Sequence, residues 1–106
     1  MTPFGPVIVS PDELDIAGGL AMTCTVDGET RQQGSTANLI FRPAEVISYI
    51  STFMTLQPGD LIALGTPAGV GLSLRPRKWL APGQTVVTEI EGIGRLTNVC
   101  SSEGVA

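Results

Sequence analysis

The chain has 106 residues, with 6 basic and 10 acidic side chains, a net charge of −4 and no histidine. This balance excludes nucleic acid and anionic membrane as natural partners, and the missing histidine removes the commonest general base and metal ligand. Only 15% of residues are charged against about 25% in an ordinary domain, while 42% are hydrophobic. The length suits one compact domain, residues 1–106, burying about two-thirds of its unfolded surface. A chain so poor in charge is expected to hide part of its surface against a partner.

Pro6 to Val9 predicts a brief apolar strand, ended by the turn signal Ser10-Pro11-Asp12. From Leu20 to Val26 the pattern alternates, with Leu20, Met22, Cys24 and Val26 set against Ala21, Thr23 and Thr25. That period marks a strand with one buried face. Asp27-Gly28 then predicts a hairpin turn, with Glu29 to Gln33 as a polar return strand near a sheet edge. Between Pro43 and Thr55 the period changes. Val46, Ile47, Ile50, Phe53 and Met54 fall on one stripe of an amphipathic helix. Pro43 suits its first turn, and Glu45 complements the positive end of its dipole. Pro58-Gly59 stops the helix, and Leu61 to Leu64 predicts a further strand. Pro82-Gly83 turns the chain into a second hairpin, Val86 to Ile90 and Arg95 to Val99, around Glu91-Gly92-Ile93-Gly94. The tail from Ser101 is expected to fray. About six strands and one packed helix predict a mainly β (α+β) fold, not a βαβ series.

The densest signal lies in Gly59 to Gly71, GDLIALGTPAGVG, where an apolar stretch empties into a loop of glycines with a single hydroxyl, Thr66. Glycines let the backbone take positive φ and approach a ligand without a Cβ in the way. Such a loop can hold a carboxylate or carbonyl, or can be a tight turn with no ligand. It is neither of two familiar nucleotide loops. No lysine follows these glycines as in a P-loop, and Pro76 and Pro82 follow where a dinucleotide fold would place a helix.

Cys24 and Cys100 form no CxxC and suit buried, inert thiols. No apolar run reaches the roughly 18 residues of a membrane span, and the first residues lack the basic stretch of a signal peptide. A reducing cytoplasm is the expected compartment.

Three segments resemble the fumarylacetoacetate hydrolase family, in family order and spacing. The first is Val26-Asp27-Gly28-Glu29-Thr30-Arg31-Gln32 running into Ser35-Thr36 and Ile40-Phe41. The second is Gly59 to Gly71, similar to the family's GDvI.tGTPaGvG. The third runs from Leu80-Ala81-Pro82-Gly83-Gln84 through Glu91-Gly92-Ile93-Gly94-Arg95-Leu96-Thr97-Asn98. The resemblance implies the C-terminal part of that family's mixed β-roll. It also implies chemistry on 2-oxo or 2,4-dioxo acids, which family enzymes cleave, isomerise, hydrate or decarboxylate with Mg²⁺ or Mn²⁺. The ion grips the oxo-acid oxygens and stabilises an enolate. The implied substrate-binding groups in this chain are Gly65 and Thr66, the latter through its hydroxyl and amide.

The family's Glu-x-Glu, its following aspartate and its loop lysine belong, by the same resemblance, to a segment expected to precede Phe4. The lid histidine lies further upstream still. No catalytic residue and no metal ligand is therefore assigned here. Glu89 and Glu91 form a local Glu-x-Glu that could chelate from one strand face, but read as a solvated face. Asp60 reads as a turn residue, and Arg31 and Gln32 as surface or subunit-interface groups. Arg75-Pro76-Arg77-Lys78 reads as a solvated loop, or as a rim facing an anionic substrate. The leading expectation is part of a metal-dependent hydrolase, lyase or isomerase, inactive alone, that pairs with a companion N-terminal segment or forms a homo-oligomer. Its rivals are a truncated, catalytically silent binding domain and a self-assembling module whose sheet edges pair between copies.

Overall fold

The computed structural model describes residues 2–102. Its frame is one antiparallel sheet of four strands: β1 Ala21–Val26, β2 Glu29–Ser35, β3 Thr85–Ile90 and β4 Gly94–Val99, in spatial order β2-β1-β3-β4. Both sequence-predicted hairpins form. Asp27 (φ 50°) and Gly28 (φ 81°) occupy the left-handed region, which gives a two-residue loop the twist its strands require. The Asp27 carboxylate accepts from the Thr85 backbone N–H at 2.8 Å and from Gln84 Nε2 at 3.0 Å. The first hairpin's turn is thereby tied to the start of the second hairpin. The polar strand β2 lies at an edge, as its composition implies.

The β1–β2 ladder slips between Cys24 and Thr25, where Cys24 faces Gln32 and Thr25 faces Thr30. Arg31 is left over as a bulge, and such an extra residue re-aims the side chains around it. The helix α1 covers Pro43–Ile50, ending short of the expected Thr55, with the Arg42 N–H donating to the Glu45 carboxylate at 2.7 Å. Hydrogen-bonded turns carry the chain on through Met54. Val46 and Ile50 are half-buried, whereas Ile47, Phe53 and Met54 of the same stripe are exposed. Tyr49 and Phe53 meet edge to face at 5.4 Å.

Three expectations need correction. Pro6 to Val9 and Leu61 to Leu64 take no regular structure and join no ladder, so four strands form among the described residues, not six. An apolar run favours a ladder without supplying the neighbouring strand, and Ile8 and Leu61 stand 78% and 70% exposed. Second, β1 does not bury one clean face. Thr23 and Thr25 are as half-covered as Met22 and Cys24, and Val26 is the one buried hydrophobic residue among those described, at 5% exposure. Third, the compact domain that the length suggested is not reached. The accessible surface is 8290 Å², where a compact chain of this mass exposes about 5,600 Å². The radius of gyration is 15.7 Å, against about 13 Å for a compact domain. Much of the excess is apolar, including Ile40, Phe41, Trp79 and Leu80. This matches the expectation of a surface that needs covering.

Candidate functional site

The glycine-rich segment 59–71 has no regular structure, so its shape comes from point contacts. It begins at a turn in which the Gln57 N–H donates to the Asp60 carboxylate at 2.8 Å and the Asp60 N–H returns to the Gln57 carbonyl at 3.1 Å. Asp60 is the turn residue it was expected to be. Further on, Gly69 (φ 110°) packs so closely on β2 that a Cβ would run into the Arg31 carbonyl, the bulged residue. Gly71 lies as tightly against the Lys78 backbone, whose N–H donates to the Gly71 carbonyl at 3.1 Å. Opposite Pro67 sits Gly34 of β2, where a Cβ would come within 3.0 Å of the proline ring. Gly69 and Gly71 hold backbone to backbone and Gly34 admits a proline ring, so the close approach expected for a ligand is used here for packing.

Gly65 is different. A Cβ there would meet only Leu39 Cδ2 at 3.7 Å, an ordinary contact, and the residue is exposed. Gly65 and Thr66 line an open groove of about 900 Å³, walled by Leu20, Met22, Leu39, Phe41, Leu64 and Ile90. Apolar walls with a few polar groups are the usual make-up of a small-molecule site. The Thr66 hydroxyl is held from behind by Gln32, whose Nε2 lies 2.9 Å from Thr66 Oγ1 and 2.7 Å from the Pro67 carbonyl. Gln32 is thus no free surface group. It is half-buried and clamps the loop, a role the sequence reading missed. The available signal was its position on the predicted return strand, two residues before Gly34, on the same face.

Arg31 is also more covered than expected. Its side chain is 17% exposed, its Nη2 lies 3.4 Å from Glu29, and its buried Nε finds no partner among the described residues. Glu29 in turn binds Lys78 Nζ at 2.6 Å, so one member of the basic cluster is anchored while Arg75 and Arg77 stay exposed. The Lys78 hydrogen bond holds the Glu29 carboxyl below its ordinary 4.5, against an opposing effect of desolvation and with the charges of Arg31 and Lys78 helping. Arg75 Nη1 donates to the Leu74 carbonyl at 3.0 Å.

The carboxylates that could mimic a metal pair are engaged elsewhere. Glu89 binds Arg95 at 3.0 Å, and Glu91, one residue past β3, accepts from the Ala21 N–H at 3.0 Å. Both are exposed, and Glu91 closes the β1–β3 seam instead of continuing a strand face. Among the described residues no three His, Cys, Asp or Glu side chains gather to hold a cation. Cys24 and Cys100 are free thiols, half-buried instead of fully buried, with partial burial pushing the Cys24 thiol up. No helix among the described residues is long and apolar enough to cross a membrane.

Comparison with known proteins agrees with this geometry. Residues 1–101 match the fumarylacetoacetate (FAA) hydrolase C-terminal family. A 4-hydroxyphenylacetate degradation bifunctional isomerase/decarboxylase from Salmonella dublin is 48% identical over 98 residues, covering 92% of this chain and 21% of the relative. The structure of a fumarylacetoacetate hydrolase from psychrophilic Exiguobacterium antarcticum superposes with a TM-score of 0.90 at 42% identity, covering 95% of this chain and 36% of that one. A 5-carboxymethyl-2-hydroxymuconate delta-isomerase from Mycobacterium smegmatis superposes with a TM-score of 0.81 at 37% identity, covering 94% and 36%. The chain thus spans between a fifth and two-fifths of these relatives' length. With the family matched over residues 1–101 and relatives 37–48% identical over more than nine-tenths of the chain, the chain belongs to the fumarylacetoacetate hydrolase family.

Proposed function

We propose that this chain supplies one wall of the active site of an enzyme that hydrolyses, isomerises or decarboxylates 2-oxo or 2,4-dioxo acids of the acylpyruvate type. The observation that carries the reading is the apolar groove whose wall presents Gly65 and Thr66. The apolar sides suit the acyl portion of such a substrate, and the exposed hydroxyl and amides suit its carboxylate or carbonyl oxygen. The related isomerase/decarboxylase and hydrolase support the same reaction class.

Mg²⁺ or Mn²⁺ belongs to this proposal as the group that would stabilise an enolate. The donors described in this chain do not fit such an ion, because no carboxylate trio converges and Glu89 and Glu91 have other partners. Its ligands are assigned to a companion N-terminal segment, which the excess apolar surface would also accommodate. Alone, the 106 residues are expected to bind Mn²⁺ negligibly and to leave acylpyruvates intact. Joined to the N-terminal segment of a family enzyme, in cis or in trans, they regain both. Calorimetry with Mn²⁺ and an acylpyruvate assay decide it. Micromolar metal affinity with turnover from these residues alone would overturn the reading and restore Glu89 and Glu91 as ligands.

A second reading has one observation in its favour. The surface excess and the position of β4 at a sheet edge suit a catalytically silent module that assembles with copies of itself. Light scattering at micromolar concentration separates the two, since self-assembly that persists when the N-terminal segment is added, without turnover, favours the silent module.

A further inference from the structure

We infer that Gln32 is a positioning residue that makes the Thr66 hydroxyl a hydrogen-bond donor aimed at an anionic oxygen in the groove. The inference rests on the oxo-acid reading above and states how that site recognises its ligand's charge. Gln32 Nε2 faces two oxygens, the Pro67 carbonyl at 2.7 Å and Thr66 Oγ1 at 2.9 Å. A carbonyl oxygen can only accept, so the group facing it is the NH₂ of the amide and not its oxygen. One amide proton goes to Pro67 and the other to Thr66. Thr66 Oγ1 is therefore an acceptor in this contact, and its own proton points elsewhere.

Among the described residues no acceptor takes that proton. The other threonine of the groove wall shows the contrast. Thr36 accepts from the Leu20 N–H at 2.8 Å and donates to the Ile16 carbonyl at 2.8 Å, so its hydroxyl is used in both directions. Thr66 is exposed at the groove with one side of its hydroxyl bound from behind. Accepting a hydrogen bond strengthens a hydroxyl as a donor, because each bond in a chain polarises the next. A carboxylate or enolate oxygen carries lone pairs and no proton, and is the complement of such a group. The bulge at Arg31 and the missing side chain of Gly34 let Gln32 reach both loop oxygens at once.

Replacing the amide by a carboxylate of the same shape reverses the hydrogen bond with Thr66 and leaves the Pro67 carbonyl without its donor. In Gln32→Glu the new carboxylate accepts the Thr66 proton, and Thr66 turns only lone pairs to the ligand. The test uses the enzyme assembled from this chain and the N-terminal segment, with pyruvate affinity by calorimetry and acylpyruvate kinetics, for Gln32→Glu, Thr66→Val and the double variant. Near neutral pH each single variant is expected to lower pyruvate affinity and kcat/KM by about tenfold to a hundredfold. On acidification Gln32→Glu recovers in part, because the protonated carboxyl restores one of the amide's two donors and releases the Thr66 proton, whereas Thr66→Val stays impaired at every pH. The double variant is no worse than Thr66→Val and shows no recovery, since the two residues act through one hydroxyl. Additive losses, or a pH-independent Gln32→Glu defect, would make the amide a brace for Pro67 alone and overturn the inference. If the assembled wild-type enzyme neither binds pyruvate nor turns over, the oxo-acid reading fails, and the Gln32 side-chain amide signals in its NMR spectrum decide the inference. Two separated proton shifts, one moving in Thr66→Val, uphold it; shifts like those of free glutamines overturn it.

Discussion

The four-stranded sheet and the glycine segment beside it are held by different physics. In the sheet, each hairpin supplies its own partner, and β1 and β3 are paired along both sides, interrupted at the Arg31 bulge. Side-chain burial adds little beyond Val26. Segment 59–71 has no ladder and rests on a few contacts: two glycines against backbone carbonyls, Pro67 over Gly34, and Gln32 reaching across. A structure held by many equivalent bonds tolerates the loss of one. A structure held by three or four anchors does not, and its failure should stay local.

Gly69→Ala tests this most severely. It combines positive φ with a Cβ set against the Arg31 carbonyl, so a loss of about 3 kcal/mol or more is expected. Hydrogen exchange should show segment 59–71 released while the β1 and β3 amides stay protected. Simultaneous loss of the sheet would erase the distinction between the two regions. Val26→Ala comes next, at about 2 kcal/mol, and should lower the midpoint of the cooperative denaturant transition for sheet and loop together. Gly65→Ala is the counterpart of Gly69→Ala. With an ordinary contact at 3.7 Å, it should leave stability within about 0.5 kcal/mol while weakening pyruvate binding in the assembled enzyme. A large stability loss there would mean that Gly65 is packing, like its neighbours.

The smallest effect is expected at the loop exit, where Glu29 holds Lys78. The folded Glu29 carboxyl titrates below its ordinary 4.5. Its contribution is therefore complete above that value and fades as pH falls through the depressed one. Glu29→Gln should flatten the acid limb of a stability-versus-pH curve and change little at neutral pH. The effect should shrink further in high salt, because the pair is exposed.

What could be read in advance follows the same division. The hairpins were legible because Asp27-Gly28 and the period-2 alternation are local signals, and the edge position of β2 followed from its polar composition. The α1 start was legible from Pro43 and Glu45, and the family from the spacing of the glycine segment. The strand expected at Leu61 to Leu64 failed because pairing depends on a neighbour that sequence cannot name. Gln32 was missed for a related reason: its partners lie 34 and 35 residues away, and the bulge that aims it shows only in the register. Among the glycines, which ones pack and which one faces the groove was invisible, because all carry the same signal and differ only in what stands opposite.

The seam between β1 and β3 joins Val26 to Val86, so the two hairpins are linked by one long crossover that contains α1 and the whole glycine segment. Each hairpin can close within about 1–10 μs on its own. Their docking must wait for the ends of the crossover to meet, whereas Gln32 and Thr66 close a shorter loop of their own. Once closed, the crossover is insensitive to its own length, since each doubling of a flexible loop adds only about 0.6 kcal/mol of closure entropy. Residues between the anchors can therefore be inserted, removed or exchanged with little effect on the sheet. The groove is therefore a composite: its loop wall, with Gly65 and Thr66, can change with the crossover, while Met22, Gln32 and Ile90 stay fixed with the strands.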